Sequence, residues 1–247
     1  MYHSVYFDNM NTFSDWHLVP QGRPLVAMPE LKSTVVDIPG ANGSLDLTEA
    51  LTGYPIYQNR NGSILFYVLT PPQEVELGLS PLGDWSERYS DISSFVHGRV
   101  RRIRLEDDPD WYYEGRCSLM WTSNNDGAGS EVEISYDVDP YKYSTTLNTA
   151  SYEVAAGNPL TISFFENGDK CVPIIPEIEI TSLTTDTLVL SFTNLELNIE
   201  NREDEFGGIA SRPLFSFPLS NLSGNNIPQV TVTGGGTFTI NYRKARL

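Results

Sequence analysis

Carboxylates are the one chemically reactive side-chain type that the sequence holds in surplus, with 32 Asp and Glu against 16 Lys and Arg. A glycoside hydrolase needs two carboxylates that face a sugar cleft. The candidates lie close together in the sequence: Glu106, Asp107, Asp108, Asp110 and Glu114. They fall at the tip of a predicted hairpin beside an arginine-rich stretch, where a solvated turn with cross-strand ion pairs is the simpler interpretation. We therefore expect no enzymatic activity and keep a glycoside hydrolase as the third alternative.

The other groups that could do chemistry are sparse. The three histidines (His3, His17 and His97) and the two cysteines (Cys117 and Cys171) show no metal-ligand spacing. No nucleophile elbow, phosphate-binding loop or dinucleotide fingerprint is present. We expect no catalytic residue, no metal and no cofactor, and we expect both cysteines to be reduced thiols.

Charge and hydropathy exclude further classes. The 247 residues carry a net charge of −16 with a pI of about 4.4, which opposes non-specific binding to nucleic acid or anionic lipid. Residues 1–146 hold 21 acids and 10 bases, a net charge of −11. No run of eighteen apolar residues occurs, so we expect no membrane span, and the first residues do not resemble a secretory signal.

The elements that must position these residues are mostly strands. Helices are predicted over 44–53, between Ser44 as N-cap and Gly53, and over 84–97, which Asp84 can cap and Gly98 ends. The second helix has one apolar face: Trp85, Tyr89, Ile92 and Val96. Strands are predicted over 63–69, 99–105, 111–120 and 131–138.

The second half of the chain alternates apolar and polar residues and shows no helical pattern after residue 150. Gly234–Gly236 is predicted to be a hairpin turn between two such strands. A change of texture near residues 139–143 predicts two domains, 1–145 and 146–247. We therefore predict an all-β protein: an N-terminal β-sandwich with one or two short helices, then a jelly-roll-like β-sandwich.

A sugar-binding module is the runner-up function. Such sites use exposed aromatic platforms, of which tryptophan is the strongest. All four tryptophans lie in the first half of the chain: Trp16, Trp85, Trp111 and Trp121. Their absence from residues 147–247 weakens this alternative without excluding it.

An ordered series of motifs resembles the amino-terminal domain of siphophage distal tail proteins, the Dit-like family of tail-tip and baseplate hubs. The motifs are Gly22-Arg-Pro24, the run Pro39-Gly-Ala-Asn-Gly-Ser-Leu-Asp-Leu-Thr48, Tyr57-Gln-Asn-Arg60, the helix near 82–95, the hairpin 98–117 and Asp139-Pro-Tyr-Lys-Tyr143. Several motifs in the right order are more specific than any single one. The later sandwich is similar to the galectin-like second domain of that family in size and strand pattern.

The resemblance implies a structural role in the virion, at the tip of a long non-contractile tail assembled in the host cytoplasm. It implies a ring, usually a homo-hexamer, that joins the tail tube protein to the tail-associated tip protein. The second domains would then point outward and could hold receptor-binding or other baseplate proteins. DNA would pass through the channel without specific binding, so an acidic channel wall is expected.

Two groups of residues are interface candidates in such a ring. The first is aromatic and the second basic: Tyr2, Tyr6, Phe7 and Trp16, then Arg99, Arg101, Arg102 and Arg104. For the aromatic residues, ordinary core packing is an equal alternative. For the arginines, the partners are acids of their own hairpin or of a neighbouring subunit.

Overall fold

The computed structural model describes residues 3–40, 42–50, 55–82, 85–122, 130–163, 177–192, 195–200, 212–213 and 229–247. These residues form two compact units, the first ending at Thr145 and the second beginning at Thr146. Strands dominate both units, and the described residues contain two helices. The predicted all-β class is confirmed.

The first unit is built on one antiparallel sheet. Its strands are β1 (Val5–Phe7), β2 (Met10–Asn11), β3 (Leu18–Pro20), β4 (Val35–Asp37), β5 (Ser44–Asp46), β6 (Arg60–Val68), β7 (Arg99–Leu105), β8 (Trp111–Thr122), β9 (Glu131–Val138) and β10 (Lys142–Ser144). The sheet order is β2-β1-β7-β8-β9-β6-β3, β10 pairs with β8, and β4 and β5 form a separate hairpin. The strands predicted over 63–69, 99–105, 111–120 and 131–138 are therefore present.

One face of this sheet is buried because alternate residues of the strands point to the same side. Those that are fully or almost fully buried include Val5, Phe7, Ile64, Phe66, Ile103, Cys117, Val132, Ile134 and Val138. Helix α2 (Trp85–Val96) adds Ile92 and Val96 to the same core. The opposite face carries exposed side chains, among them Leu65, Tyr67 and Met120.

Helix α2 confirms the prediction over 84–97, and Gly98 follows it with φ +71°. Ile92 and Val96 are buried as expected, whereas Tyr89 is 43% exposed and its ring lies 5.2 Å from that of Trp121. Asp84 and the side chain of Trp85 lie outside the described residues.

The helix predicted over 44–53 is wrong for residues 44–50. Ser44–Asp46 form β5, which pairs with β4 through Val36 and Leu45, and residues 51–53 lie outside the described residues. The turn between the two strands contains Gly40 at φ +83° and Gly43 at φ +78°, a conformation that glycine adopts at little cost. These turn residues favour a hairpin over a helix start.

The second helix of the structure, α1 (Pro71–Glu76), was not predicted. Proline suits the first turn of a helix because the N–H it lacks would have no partner there. The N–H of Thr70 donates to Oε1 of Gln73 at 2.9 Å, which closes one side of a capping arrangement. The sequence Thr70-Pro-Pro-Gln73 was therefore the signal that could have revealed this helix.

The second unit is also an antiparallel sheet. Its strands are β11 (Asn148–Val154), β12 (Leu160–Ser163), β13 (Glu177–Phe192), β14 (Leu195–Glu200), β15 (Arg212–Pro213) and β16 (Gln229–Tyr242). The short strand β17 (Ala245–Arg246) is not part of this sheet. The order is β11-β16-β13-β14, with β12 beside β16 and β15 beside β13. Ile180 and Leu190 lie towards opposite ends of β13, and Val232 and Phe238 lie in the two halves of β16. All four belong to one core, so the sheet curls over itself.

The hairpin turn predicted at Gly234–Gly236 is wrong because all three glycines lie inside β16. Leu183 of β13 is opposite Gly236, and Leu188 is opposite Gly234, so β13 bulges outward between these two pairs. A Cβ atom at Gly235 would collide with Oγ1 of Thr184, and one at Gly236 with the backbone oxygen of Ser182. The glycines therefore allow two backbones to approach closely.

Candidate assembly surface

The acidic turn that suggested a hydrolase is occupied by internal contacts. Glu106 accepts hydrogen bonds from the N–H and hydroxyl of Ser4, at 2.7 and 3.0 Å. Asp107 contacts Nε of Arg23 at 2.7 Å and Nδ1 of His3 at 3.0 Å, and these two partners hold its pKa below the usual value. Two further ion pairs join Nζ of Lys142 to Oδ2 of Asp108 at 2.6 Å and Nε of Arg102 to Oε2 of Glu114 at 2.8 Å. These carboxylates tie neighbouring segments together.

The arginines of β7 differ from one another in their surroundings. Arg102 pairs with Glu114 of its own hairpin, as one of the two alternatives predicted. Arg101 donates to the carbonyl of Phe95 and contacts Asp8 at 3.0 Å, so it connects α2, β7 and the end of β1. Arg104 lies 4.2 Å above the ring of Tyr6. Arg99 is exposed and forms no ion pair within the described residues.

The aromatic interface candidates divide in the same way. Phe7 is fully buried, Trp16 is 5% exposed, and their rings stack at 5.7 Å. Core packing, the alternative considered from the sequence, therefore applies to both. Tyr6 is half-buried beneath Arg104, and Tyr2 lies outside the described residues.

A buried ionic cluster fixes α1 and α2 to the sheet. Oε1 of Glu74 contacts Nδ1 of His17 at 2.7 Å and Nη1 of Arg88 at 3.0 Å. Arg88 also donates to the carbonyl oxygens of Trp16 and His17, at 2.6 and 3.0 Å. Burial lowers the pKa of Arg88, and the charge of Glu74 opposes that shift. The cluster therefore links α1 and α2 to the segment at Trp16 and His17.

The most distinctive surface is an exposed apolar segment, which we call the arm and define as residues 25–40 and 42–50. Eight of its large apolar side chains are exposed: Leu25, Met28, Leu31, Val35, Val36, Ile38, Leu45 and Leu47. Leu25 is 78% and Met28 70% exposed. Isolated exposed apolar residues are ordinary on protein surfaces, but contiguous ones mark interaction sites.

The base of the arm is held firmly on the sheet. Arg60, which is 1% exposed, donates to the carbonyl oxygens of Pro140 at 2.7 Å and Ala27 at 3.1 Å. The N–H of Ala27 donates to the hydroxyl of Tyr136 at 3.0 Å. Beyond this base, β4 and β5 pair only with each other in the described part of the chain. The arm thus projects from a rigid attachment point.

Sequence reasoning placed Arg60 in a motif but missed the arm itself. The missed signal is Val35-Val-Asp-Ile38 and Ser44-Leu-Asp-Leu47 on either side of a Gly-containing turn. That pattern is typical of a hairpin, and the directly opposed residues Val36 and Leu45 form an apolar pair on one of its faces.

Within the described residues, no group of three or more His, Cys, Asp or Glu side chains is arranged to hold a metal ion. The helices described there are also too short or too polar to cross a membrane. In the second unit, the described aromatic side chains are buried or partly buried against the core: Tyr152, Phe238 and Tyr242.

Together these features define a class: an all-β protein with a projecting apolar arm, whose acidic turn is committed to internal contacts. The fold is similar to that of the SPP1 Dit (gp 19.1) protein, whose crystal structure is described as a paradigm of the hub adsorption apparatus in phages that infect Gram-positive bacteria. The TM-score is 0.55 at 14% identity, over 99% of each chain. The predicted resemblance is confirmed at the level of the fold, whereas no protein-family model and no curated protein matches the sequence.

Proposed function

We propose that this chain is a structural distal tail protein of a phage with a long non-contractile tail, located in the virion at the tail tip and assembled in the host cytoplasm. Its copies form a ring, a homo-hexamer, that joins the tail tube protein to the tail-associated tip protein. The second unit offers a place for receptor-binding or other baseplate proteins. The ring works by holding its partners and transmitting force, without enzymatic chemistry, a cofactor or membrane insertion.

The observation that carries this proposal is the exposed arm on a fold shared with a phage hub protein. Burying an apolar surface stabilises an association by about 25 cal/mol for each Å² removed from water. In the described part of the chain, Leu25 is 78%, Met28 70% and Val36 44% exposed. A neighbouring copy that covers them would convert this exposure into assembly free energy.

A ring requires two different surfaces on each copy, because head-to-tail contacts repeat around the axis. The arm supplies one of these surfaces, since its hairpin projects away from the sheet to which its base is fixed. A surface that met its own equivalent would instead give a two-fold dimer.

The uncovered face of the first sheet is the proposed channel wall. On strands β6, β8 and β9 this face carries four acids, Glu114, Glu131, Glu133 and Asp137, and one base, Arg116, while the neighbouring β7 adds Arg102 and Arg104. An acidic wall repels DNA phosphates, so DNA can pass without being held. Replacing Glu131 and Glu133 with Lys should make the assembled ring bind double-stranded DNA in a salt-dependent manner, as measured by a mobility-shift assay.

Negative-stain imaging of the purified full chain, together with its mass from light scattering, tests the proposal. The expected result is a six-fold ring with an open central channel. A chain that stays monomeric over the whole accessible concentration range, and that binds cell-wall glycans on an array, would contradict it and favour the sugar-binding alternative.

A further inference from the structure

The tripeptide Asn-Gly-Ser occurs twice in the described part of the first unit, at Asn42-Gly-Ser44 and at Asn61-Gly-Ser63. Asparagine is a thermolabile residue, and glycine after it leaves the next backbone nitrogen unhindered by a Cβ atom. Both asparagines are exposed to solvent. The two copies share their local sequence and their exposure, so the backbone around them is what distinguishes their chemistry.

The first copy lies in the turn of the arm's hairpin. The register of β4 and β5 ends at the pair Asp37 and Ser44, so Asn42 and Gly43 take no part in the strand pairing. Gly43 has φ +78°, and a Cβ atom placed on it would meet no described atom within 4 Å. The backbone nitrogen of Gly43 therefore has room to approach Cγ of Asn42.

The second copy lies inside a strand of the main sheet. Asn61 and Gly62 belong to β6, opposite Asp137 and Tyr136 of β9. A Cβ atom on Gly62 would collide with the hydroxyl of Tyr136, so the backbone is closely packed there. For the nitrogen of Gly62 to reach Cγ of Asn61, the chain must rotate out of the extended conformation. That rotation requires the sheet to open locally.

We infer that Asn42 is a site of spontaneous deamidation in the folded chain, whereas Asn61 is protected. The backbone nitrogen of Gly43 attacks Cγ of Asn42, and a bond forms between these two atoms. The bond from Cγ to the side-chain nitrogen breaks, and that nitrogen takes up the displaced proton and leaves as ammonia. Water then opens the cyclic imide at one of its two carbonyl carbons. The product is an aspartate or an isoaspartate, and either one adds a negative charge.

This reaction changes the hairpin of the arm in two ways. It adds a carboxylate near Asp37, which pairs with Ser44 at the turn end of the hairpin. An isoaspartate also inserts one more carbon atom into the main chain just before Ser44. A two-stranded hairpin without further cover is marginal in water, so we expect the pair of Val36 and Leu45 to open more often. Chains that stay unassembled then lose intact arms with time, a consequence that rests on the proposed function.

A time course of the full-length chain tests the inference. The chain is kept dilute enough to remain unassembled by light scattering, in mildly alkaline buffer, because base removes the proton from the attacking nitrogen. Peptides from timed samples are separated by liquid chromatography, and mass spectrometry detects the exchange of NH₂ for OH. We expect Asn42 to convert at least about tenfold faster than Asn61. Peptides with Asn167 and Gly168, which lie outside the described residues, are quantified separately.

Unfolding provides the matched control. In concentrated urea the two Asn-Gly-Ser sites should convert at similar rates, because their local sequences are the same and the strand no longer restrains one of them. The variant Asn42→Gln keeps an amide at the turn but must close a larger ring, so it should remain intact. Hydrogen exchange at the amides of Val36 and Leu45 should become faster in aged wild type and stay unchanged in aged Asn42→Gln.

The outcomes separate this inference from the proposed ring. Equal rates at Asn42 and Asn61 in the folded chain would overturn it, and so would an Asn42 that converts in urea but stays intact in the folded, unassembled chain. A chain that deamidates at Asn42 and never forms rings would support the modification site and overturn the proposed function alone. Rings from a chain whose Asn42 stays intact before assembly would do the reverse.

Discussion

Two regions of the first unit are built from similar apolar residues but have opposite surroundings. On the sheet, Ile64 and Phe66 of β6 alternate with polar or exposed neighbours, and the apolar side is covered by the core. In the arm, Val36 and Leu45 also form an apolar pair across two strands, yet both are exposed. The difference is the covering element, which the described residues supply for the sheet and do not supply for the arm.

This difference separates folding from assembly. Apolar area that is buried within one chain stabilises that chain, whereas apolar area left exposed on a rigid base is available to a partner. Arg60 and Tyr136 hold the base of the arm at Ala27 with direct hydrogen bonds. The arm is therefore presented by the folded unit, and we expect its hairpin to contribute little to the stability of that unit.

The largest expected effect is in the sheet core. Phe66→Ala removes a fully buried ring and leaves a cavity, so we expect the free energy of unfolding to fall by about 3–5 kcal/mol. Urea unfolding of the full chain followed by circular dichroism measures it. A loss of less than about 1 kcal/mol would show that this core is not what stabilises the unit.

At the buried ionic cluster we expect a comparable or slightly smaller loss in the free energy of unfolding. Glu74→Gln leaves Arg88 without its counter-charge in a buried position, and breaking such a pair costs about 3–5 kcal/mol. Glu76→Gln on the same helix is the matched control, because Glu76 is exposed. If both variants unfold at the same urea concentration, the cluster does not fix α1 and α2 to the sheet.

Thiol reactivity compares the two regions within one molecule. Burial raises the pKa of Cys117 to about 12, so at neutral pH its thiolate is about a thousandfold scarcer than that of an ordinary cysteine. In a Cys171→Ser background, Cys117 should resist maleimide until the chain is unfolded, while Val36→Cys on the arm should react at once in unassembled chains. Rapid labelling of Cys117 in the folded chain would contradict the closed core.

The smallest expected effect is a pH dependence at the end of β9. Burial is the main cause that raises the pKa of Asp139, and the negative charges of Glu114 and Asp137 raise it further. The folded chain therefore binds this proton more tightly than the unfolded chain, and stability is lost as pH rises from about 3.8 through the higher folded pKa. Asp139→Asn should gain stability relative to wild type between pH 4 and pH 7 in urea titrations. A constant difference would remove Asp139 as the cause.

The sequence predicted the sheet of the first unit better than the arm. Strands such as β9 were predictable because alternation and burial agree there, and α2 was predictable because Ile92 and Val96 repeat at helical spacing. The strands of the arm are exposed, so the sequence there shows no buried face that would mark a strand. Ser44 looked like a helix N-cap, and this signal was given more weight than the alternation of Leu45 and Leu47. Likewise the glycines 234–236 look like a turn, although they serve the close approach of β13 and β16.

The burial of Phe7 and Trp16 was not readable from the sequence for a different reason. Aromatic residues serve both cores and interfaces, and the choice depends on which element covers them. Here the stacking of Phe7 on Trp16 and the edge contact of Trp16 with Phe95 of α2 decide it. The candidate surface therefore moved from these aromatic residues to the aliphatic residues of the arm.

The central claim is tested most directly by measuring both the oligomeric state and the unfolding free energy of a variant with a changed arm. Wild type, the double variant Val36→Ser with Leu45→Ser, and the control Leu65→Ser are compared by light scattering and by urea unfolding. We predict a ring for wild type and control but a monomer for the arm variant, whose free energy of unfolding as a monomer changes by less than about 0.5 kcal/mol. An arm variant that still forms the ring, or that loses stability as Phe66→Ala does, would contradict the separation of folding from assembly.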